Sequence, residues 1–205
     1  YTTLFRSLTL ANNIFYNPLK GFVVNLNADI GVKISGNIFM RDTAHMQPGI
    51  DFNRAIYIGG YSTPSRFQYM SDVDIVDNLF GLKVTELDAI KSTSRSDLAA
   101  TITRLQTAIE AGAISVPNEK NYLSTGVNSF NMLKDVTVQH NFFYSPYDNE
   151  NLNGLGGDHA IYFRGAQNIT VVGNHLRGLQ NGPAGGFKFK SGRNITIMNN
   201  YLRNT

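Results

Sequence analysis

The chain of 205 residues contains no cysteine and no tryptophan, and only six prolines. Without cysteine there can be no disulfide and no thiolate metal site, but many exported proteins also lack it, so its absence does not name a compartment. Charge is sparse as well: 16% of residues are Asp, Glu, Lys or Arg while 42% are hydrophobic, which is a globular balance rather than a disordered one. No apolar run approaches the roughly 18 residues of a membrane span, and Tyr1 opens inside patterned sequence with no basic, apolar and small-residue layout before it. A single domain over residues 1–205 is expected, with no membrane partner, and as part of a longer chain, since the closing "NYLRNT" ends in an uncovered strand phrase. One further absence is local. From His159 to Thr205 there are six Lys or Arg and no Asp or Glu, against twelve bases and fifteen acids before that point. The last quarter therefore presents a cationic surface suited to an anionic partner: an acidic polysaccharide, a nucleic acid or a phosphate-bearing surface.

What the sequence does have is a repeat. "LTLANNIF", "VKISGNIF", "VDIVDNLF", "VTVQHNFF", "ITVVGNHL" and "ITIMNNYL" are six versions of one phrase. In each, two aliphatic residues flank an outward position, as Val136 and Val138 flank Thr137, which is strand alternation with a period of two. Three residues after the second aliphatic comes an asparagine: Asn13, Asn37, Asn78, Asn141, Asn174 and Asn200. Two residues further stands Phe15, Phe39, Phe80, Phe143, Leu176 or Leu202. The asparagines are separated by 24, 41, 63, 33 and 26 residues, so the unit is short and its loops vary in length. Helical repeats would show a 3.6-residue period, and a propeller blade needs four strands in about 40 residues. Stacked strands about 4.8 Å apart place like residues above one another, so the asparagines should pass amide hydrogen bonds from coil to coil at a corner while Phe and Leu stack in the core.

The phrase "NITIMNNYL" with its preceding "GFKFKSGR" resembles a coil of the right-handed parallel β-helix of the pectin-lyase-like superfamily, which holds polysaccharide lyases, glycosidases and phage tailspike depolymerases. The resemblance covers the chain except for one insertion. It implies an all-β solenoid of about six right-handed coils, an extracellular or virion-associated setting and, as in tailspikes, a homotrimer.

Each coil also carries a strand before its asparagine phrase: "GFVVNLN", "RAIYIGG", "HAIYFRG" and "GFKFKSG". Aligning the last two on Asn168 and Asn194 puts Ile161 and Phe163 inside, under Phe187 and Phe189. Tyr162 then stacks on Lys188 and Arg164 on Lys190 along one outer strip. In the resembling superfamily this strand and its loops form the substrate groove. Like charges on adjacent strands repel, and inside a shielded cleft a permanent guanidinium favours a neutral amine beside it, the form that acts as a general base. The expected reaction is β-elimination on a uronate-containing polysaccharide. Lys190 removes the proton alpha to the carboxylate, Arg164 or Lys188 neutralises the enolate, and Tyr162 or His159 protonates the leaving oxygen. "FKFKSGRN" also resembles the lysine-bearing strand of chondroitinase B-like and alginate lyases, where an arginine follows on the next coil; here Arg164 lies on the preceding coil, a departure from that pattern. Such lyases use acidic calcium ligands, and no such set is identified in this sequence, so calcium stays unplaced and no other cofactor is implied.

The long interval between Asn78 and Asn141 holds an excursion, expected over about 81–129. In "SDLAATITRLQTAIEAG", Leu98, Ile102, Leu105 and Ile109 form one helical stripe, with Ser96 as N-cap and Gly112 as stop. A shorter helical turn starts near Thr85, with Leu87 and Ile90 beneath it. The stripe is expected against the flank of the solenoid, and the excursion as a wall of the binding strip. Two loops, "MRDTAHMQPGIDFN" and "YSPYDNENLNGLGGD", leave the same corner. The second offers Tyr144, Tyr147, Asp148, Glu150 and Asp158, which with Arg193 form the expected substrate-binding set. Glycoside hydrolysis through Asp148, Glu150 or Asp158 is the alternative chemistry, and a non-catalytic glycan-binding or structural β-helix is the alternative class. Nucleic acid ranks below polysaccharide because Phe and Tyr follow the core period instead of interleaving with exposed bases. His45, His140, His159 and His175 show no zinc spacing, "NIT" at Asn168 and Asn194 falls within the strand phrase, and "GLGGDH" lacks the strand and helix of a nucleotide loop.

Overall fold

Three parallel sheets stack the repeat upon itself. The computed structural model describes residues 7–16, 23–27, 30–40, 54–63, 66–115, 120–121, 125–129, 132–144, 159–178 and 186–203, with main chain only at 54, 61–63, 66–67, 120–121 and 125–129. The aliphatic half of each phrase forms the first sheet, in the order Leu8–Ala11, Ile30–Ser35, Met70–Val76, Leu133–Gln139, Gln167–Val172 and Arg193–Met198. The half after the asparagine forms the second: Ile14–Tyr16, Ile38–Met40, Leu79–Phe80, Phe142–Tyr144, His175–Arg177 and Tyr201–Arg203. The third sheet has five strands, Val24–Asn27, Arg54–Gly59, Thr125–Ser129, Ile161–Arg164 and Phe187–Lys190. All three advance in chain order, so the chain is an all-β parallel solenoid, the fold class expected from its repeat. Among the described residues no helix is long and apolar enough to cross a membrane.

Register keeps each letter of the phrase above its counterpart. Leu10, Ile34, Ile75, Val138, Val171 and Ile197 form one column. Phe15, Phe39, Phe80 and Phe143 form another, with ring centroids 5.0, 5.0 and 4.6 Å apart and planes within 11° of parallel, and Leu176 and Leu202 extend it. These columns and the inward residues of the third sheet make one continuous core.

At the corner between the first two sheets the amide ladder runs the length of the described solenoid. The main-chain N–H and Nδ2 of Asn13 both donate to Asn37 Oδ1, and the same pair of bonds joins Asn37 to Asn78, Asn78 to Asn141, Asn141 to Asn174 and Asn174 to Asn200, all at 2.9–3.1 Å. Asn37, Asn78, Asn141 and Asn174 are fully buried, and a buried amide is tolerable only when so satisfied. The residue before each ladder asparagine turns the chain with a positive φ: Asn12, Gly36, Asp77, His140, Gly173 and Asn199 lie between 52 and 63°. Asn, Asp, His and Gly are the types that tolerate this conformation. At Gly173 a Cβ would come within 2.6 Å of His140 Cδ2 on the neighbouring coil, so the turn and the close approach both require glycine. A second left-handed column, Gly31, Asp72, Asp135, Asn168 and Asn194, kinks the first sheet. Both "NIT" asparagines belong to it: Asn194 donates to Asn168 Oδ1 at 3.0 Å, and Asn168 to Asp135 Oδ1 at 2.7 Å.

The excursion leaves just after Leu79–Phe80. Leu82–Lys83 pairs antiparallel with Lys120–Asn121, a 3-10 turn spans Val84–Glu86, and two helices follow, α1 (Leu87–Thr93) and α2 (Ser96–Glu110). Ser96 is the first residue of α2 and not its cap; Arg95 is the boundary, and no side chain caps it. The helix ends in paired bonds, Gly112 N–H to Ile109 and Ala113 N–H to Ala108, with Gly112 at φ 69° supplying the left-handed stop. Leu98, Ile102 and Leu105, together with Leu87 and Ile90 of α1, are buried on Ile38, Met40, Leu79, Phe142 and Tyr144. Covering Leu98, Ile102 and Leu105 contributes on the order of 5–9 kcal/mol as an upper bound.

This placement corrects two expectations. The described helices of the excursion lie not along the third sheet but on the outward face of the second, whose apolar outward residues stand at the point where the chain departs. It is also shorter than 81–129, because Thr125–Ser129 is a third-sheet strand paired with Arg54–Gly59 and Ile161–Arg164.

Candidate functional site

The third sheet alternates as its letters require: Phe187 and Phe189 point inward with Ile161 and Phe163, leaving Tyr162, Arg164, Lys188 and Lys190 on the outer face. Tyr162 pairs with Lys188, and Arg164 with Lys190, on adjacent strands. Arg164, Lys188 and Lys190 are exposed, and among the described residues none of them is in an ion pair. Three cations that no described acid neutralises therefore share one face.

Tyr162 departs from the open strip foreseen for it. It is only 7% exposed, because Lys188 Nζ lies 5.0 Å from its ring centroid, the Arg164 guanidinium carbon 5.5 Å, and the His159 ring 5.9 Å away edge-on. Arg164 Nε donates to the phenol oxygen at 2.6 Å, which leaves the phenol's own proton free to be given elsewhere. Arg164 and Lys188 are thus held in place by stacking on an aromatic surface. His159 is buried beneath the group. Tyr162, Arg164, Lys188 and His159 are therefore one physical cluster, with Tyr162 and His159 covered, and Lys190 lies beside it in register with Arg164.

The expected substrate-binding residues do not all join it. Arg193 is exposed but opens the first-sheet strand Arg193–Met198, one corner beyond Lys190, in register with Gln167. Tyr144 is not in a loop: it closes the second-sheet strand Phe142–Tyr144 and is buried in the apolar layer under the helices. Tyr147, Asp148, Glu150 and Asp158 lie outside the described residues, as does "MRDTAHMQPGIDFN" apart from Met40. No group of three His, Asp or Glu side chains converges among the described residues, so calcium gains no location from them.

Register adds residues that sequence reasoning missed. Asn25, Tyr57, Asn128, Tyr162 and Lys188 share one register column down the third sheet. The signal was present in the triplet "AIY", which occurs at 55–57 and again at 160–162 and would have set Tyr57 in the column of Tyr162. The column runs from amide and phenol at one end to one cation, Lys188, at the other, with Arg164 and Lys190 forming the next column.

Two histidines and one carboxyl outside this face are perturbed. His175 is shifted below its ordinary value by burial; His140 is shifted down by burial first and then by Arg95, whose Nη1 lies 2.7 Å from His140 Nε2. Asp77, in a cleft of about 360 Å³ beside α2, is held above the usual carboxylate range by burial and then by Asp97, and its Oδ1 is buried without a hydrogen bond among the described residues.

Compared with family models, curated proteins and solved structures, the chain matches none. What can be said of its activity rests on the geometry above.

Proposed function

We propose that the protein binds an acidic, uronate-bearing polysaccharide along the outward face of its third sheet and cleaves it by β-elimination. The observation that carries this is the register of Arg164 with Lys190 beside the Tyr162 phenol, on a face where no described acid neutralises the cations. Anionic polymer is drawn to such a face by charge, and the Asn25 to Lys188 column supplies ring and amide contacts along it. The uronate carboxylate is held by Arg164 and Lys188, whose charge stabilises the enolate as it develops. Lys190 accepts the proton alpha to that carboxylate. The bond to the leaving glycosidic oxygen breaks as the ring double bond forms, and Tyr162 returns a proton to the departing oxygen. Proximity of base and acid on adjacent strands is the main contribution of the scaffold. The same proposal holds the solenoid to be right-handed, of about six coils and of the pectin-lyase-like kind, in an extracellular or virion-associated protein.

A second reading, binding without cleavage, is favoured by one observation: Lys188 and Lys190 stand exposed, and the helices that might have enclosed them cover another sheet. A panel of acidic glycans separates the two. Product with ultraviolet absorbance from the new double bond, lost in Lys190→Ala and reduced in Arg164→Ala, supports the lyase. Binding with no product supports the module. New reducing ends without unsaturation turn attention to Asp148, Glu150 and Asp158, and unchanged turnover in both variants discards the mechanism.

A further inference from the structure

The apolar layer under the helices ends at the strand Phe142–Tyr144, and the outward face of the second sheet continues through His175–Arg177 and Tyr201–Arg203. Between those strands and α1 lies a groove of about 430 Å³, within the ~300–1,000 Å³ usual for small-molecule sites. Ala89, Ile90 and Thr93 of α1 form one wall. The floor is aromatic: Phe142, His175 and Tyr201 hold the same position on successive strands, with ring centroids 6.4 and 5.5 Å apart. Tyr201, on the last described strand, completes that floor.

The next outward column is Arg177 above Arg203. Arg177 is already neutralised, with Nη1 2.6 Å from Glu86 Oε2 and Nη2 3.3 Å from Oε1. Arg203 lines the same groove without a carboxylate, and among the described residues it makes no ion pair or hydrogen bond. The groove thus combines a ring-stacking floor with one unmet positive charge whose planar fork matches a carboxylate. One such charge among the described residues suits a monoanion.

We infer that this groove is a second saccharide site, which takes a uronate ring with its carboxylate on Arg203 and its C–H face on Tyr201 and His175. The ligand class rests on the function proposed above, but the site does not, since none of its residues belongs to the third sheet. Burial holds His175 below its ordinary value, so at neutral pH the floor is an uncharged ring and the charge recognition falls to Arg203.

The test is calorimetric titration of digalacturonate into the full chain carrying Arg164→Ala, Lys188→Ala and Lys190→Ala, which removes the three cations of the third-sheet face. Binding should persist in that background. It should weaken by at least about tenfold on adding Arg203→Gln or Tyr201→Ala, and vanish on adding Ala89→Trp, which fills the groove from its exposed helical wall without touching the arginine. Maltose should bind at least about tenfold more weakly than the uronate. No binding in the starting background overturns the inference, as does an affinity unchanged by both Arg203→Gln and Ala89→Trp at unaltered melting temperature. Benzoate binding tighter than digalacturonate overturns the saccharide assignment. Loss of the groove with retained lyase turnover would leave the third-sheet reading intact, and groove binding in a chain without turnover would leave the inference intact.

Discussion

Replacing Asn141 with alanine removes the middle of the amide ladder, and the cost follows from what it strands. Asn141 Oδ1 accepts the Asn78 main-chain N–H at 2.9 Å and Asn78 Nδ2 at 3.0 Å. The amide of Asn78 keeps the carbonyls of Ile34 and Val76, but its main-chain N–H is left in a fully buried position with no acceptor. The Ile75 carbonyl loses the donor that Asn141 Nδ2 supplied at 2.8 Å. An orphaned buried group costs about 1–3 kcal/mol, so the substitution should destabilise by about 3–5 kcal/mol. Asn13 is the internal control. It is exposed, and its side chain donates to Asn37 Oδ1 and the Ala11 carbonyl while, among the described residues, no group donates to its own oxygen. Water can replace what Asn13→Ala removes, so that variant should lose no more than about 1 kcal/mol. Urea unfolding followed by circular dichroism gives the comparison. Solenoids can unfold in parts, so hydrogen exchange at the Asn78 amide should be read alongside, and it should be strongly accelerated in Asn141→Ala alone. If the two variants unfold within about 0.5 kcal/mol of each other, the ladder does not stabilise this fold as argued.

Gly173→Ala forces a side chain into the left-handed region and against His140 Cδ2, and should destabilise by more than the ~1–2 kcal/mol of the conformation alone. Gly112→Ala meets open space at φ 69° and should cost only that conformational share, which thermal melting of the pair would reveal. Acid should weaken the fold through His140 and His175. Both take up their protons at lower pH folded than unfolded, so the stability they contribute is complete above about pH 6.5 and is lost as pH falls from there through their folded values. Asp77 works the other way: its folded value is raised, so protonation between that value and about 3.8 favours the folded state. Melting temperature should therefore decline from pH 7.5 toward 5.5, and the decline should flatten in a His140→Gln, His175→Tyr double variant.

The first two sheets were legible in the letters because stacking repeats the same environment at each level, and identical environments select identical residues. Asn78, Asn141 and Asn174 could be placed in one column, and Phe39, Phe80 and Phe143 in another, before any coordinate was known. The stripe of Leu98, Ile102 and Leu105 announced α2 for a similar reason, since burial on one face leaves a periodic trace. The third sheet was harder. Its strand Thr125–Ser129, "TGVNS", carries a single aliphatic residue and was absorbed into the excursion. Outward residues there answer to solvent and ligand and not to the core, so Asn25 and Lys188 share a column without sharing a residue type, and only the repeated "AIY" ties Tyr57 to Tyr162. The direction of the excursion and the burial of Tyr144 depend on which neighbouring face is apolar, a property assembled from Ile38, Leu79 and Phe142 on three separate strands. His140 was read only for zinc spacing, when its position before a ladder asparagine marks it, like Asp77, as a left-handed corner residue.

The central claim is that an acidic glycan lies along the outward face of the third sheet. A crystal structure of the Lys190→Ala chain soaked with a uronate trisaccharide tests it most directly. A sugar carboxylate on Arg164, with rings running over Tyr162 toward Tyr57, is the predicted result. Saccharide found only elsewhere on the molecule, or none on that face at saturating concentration, would contradict it.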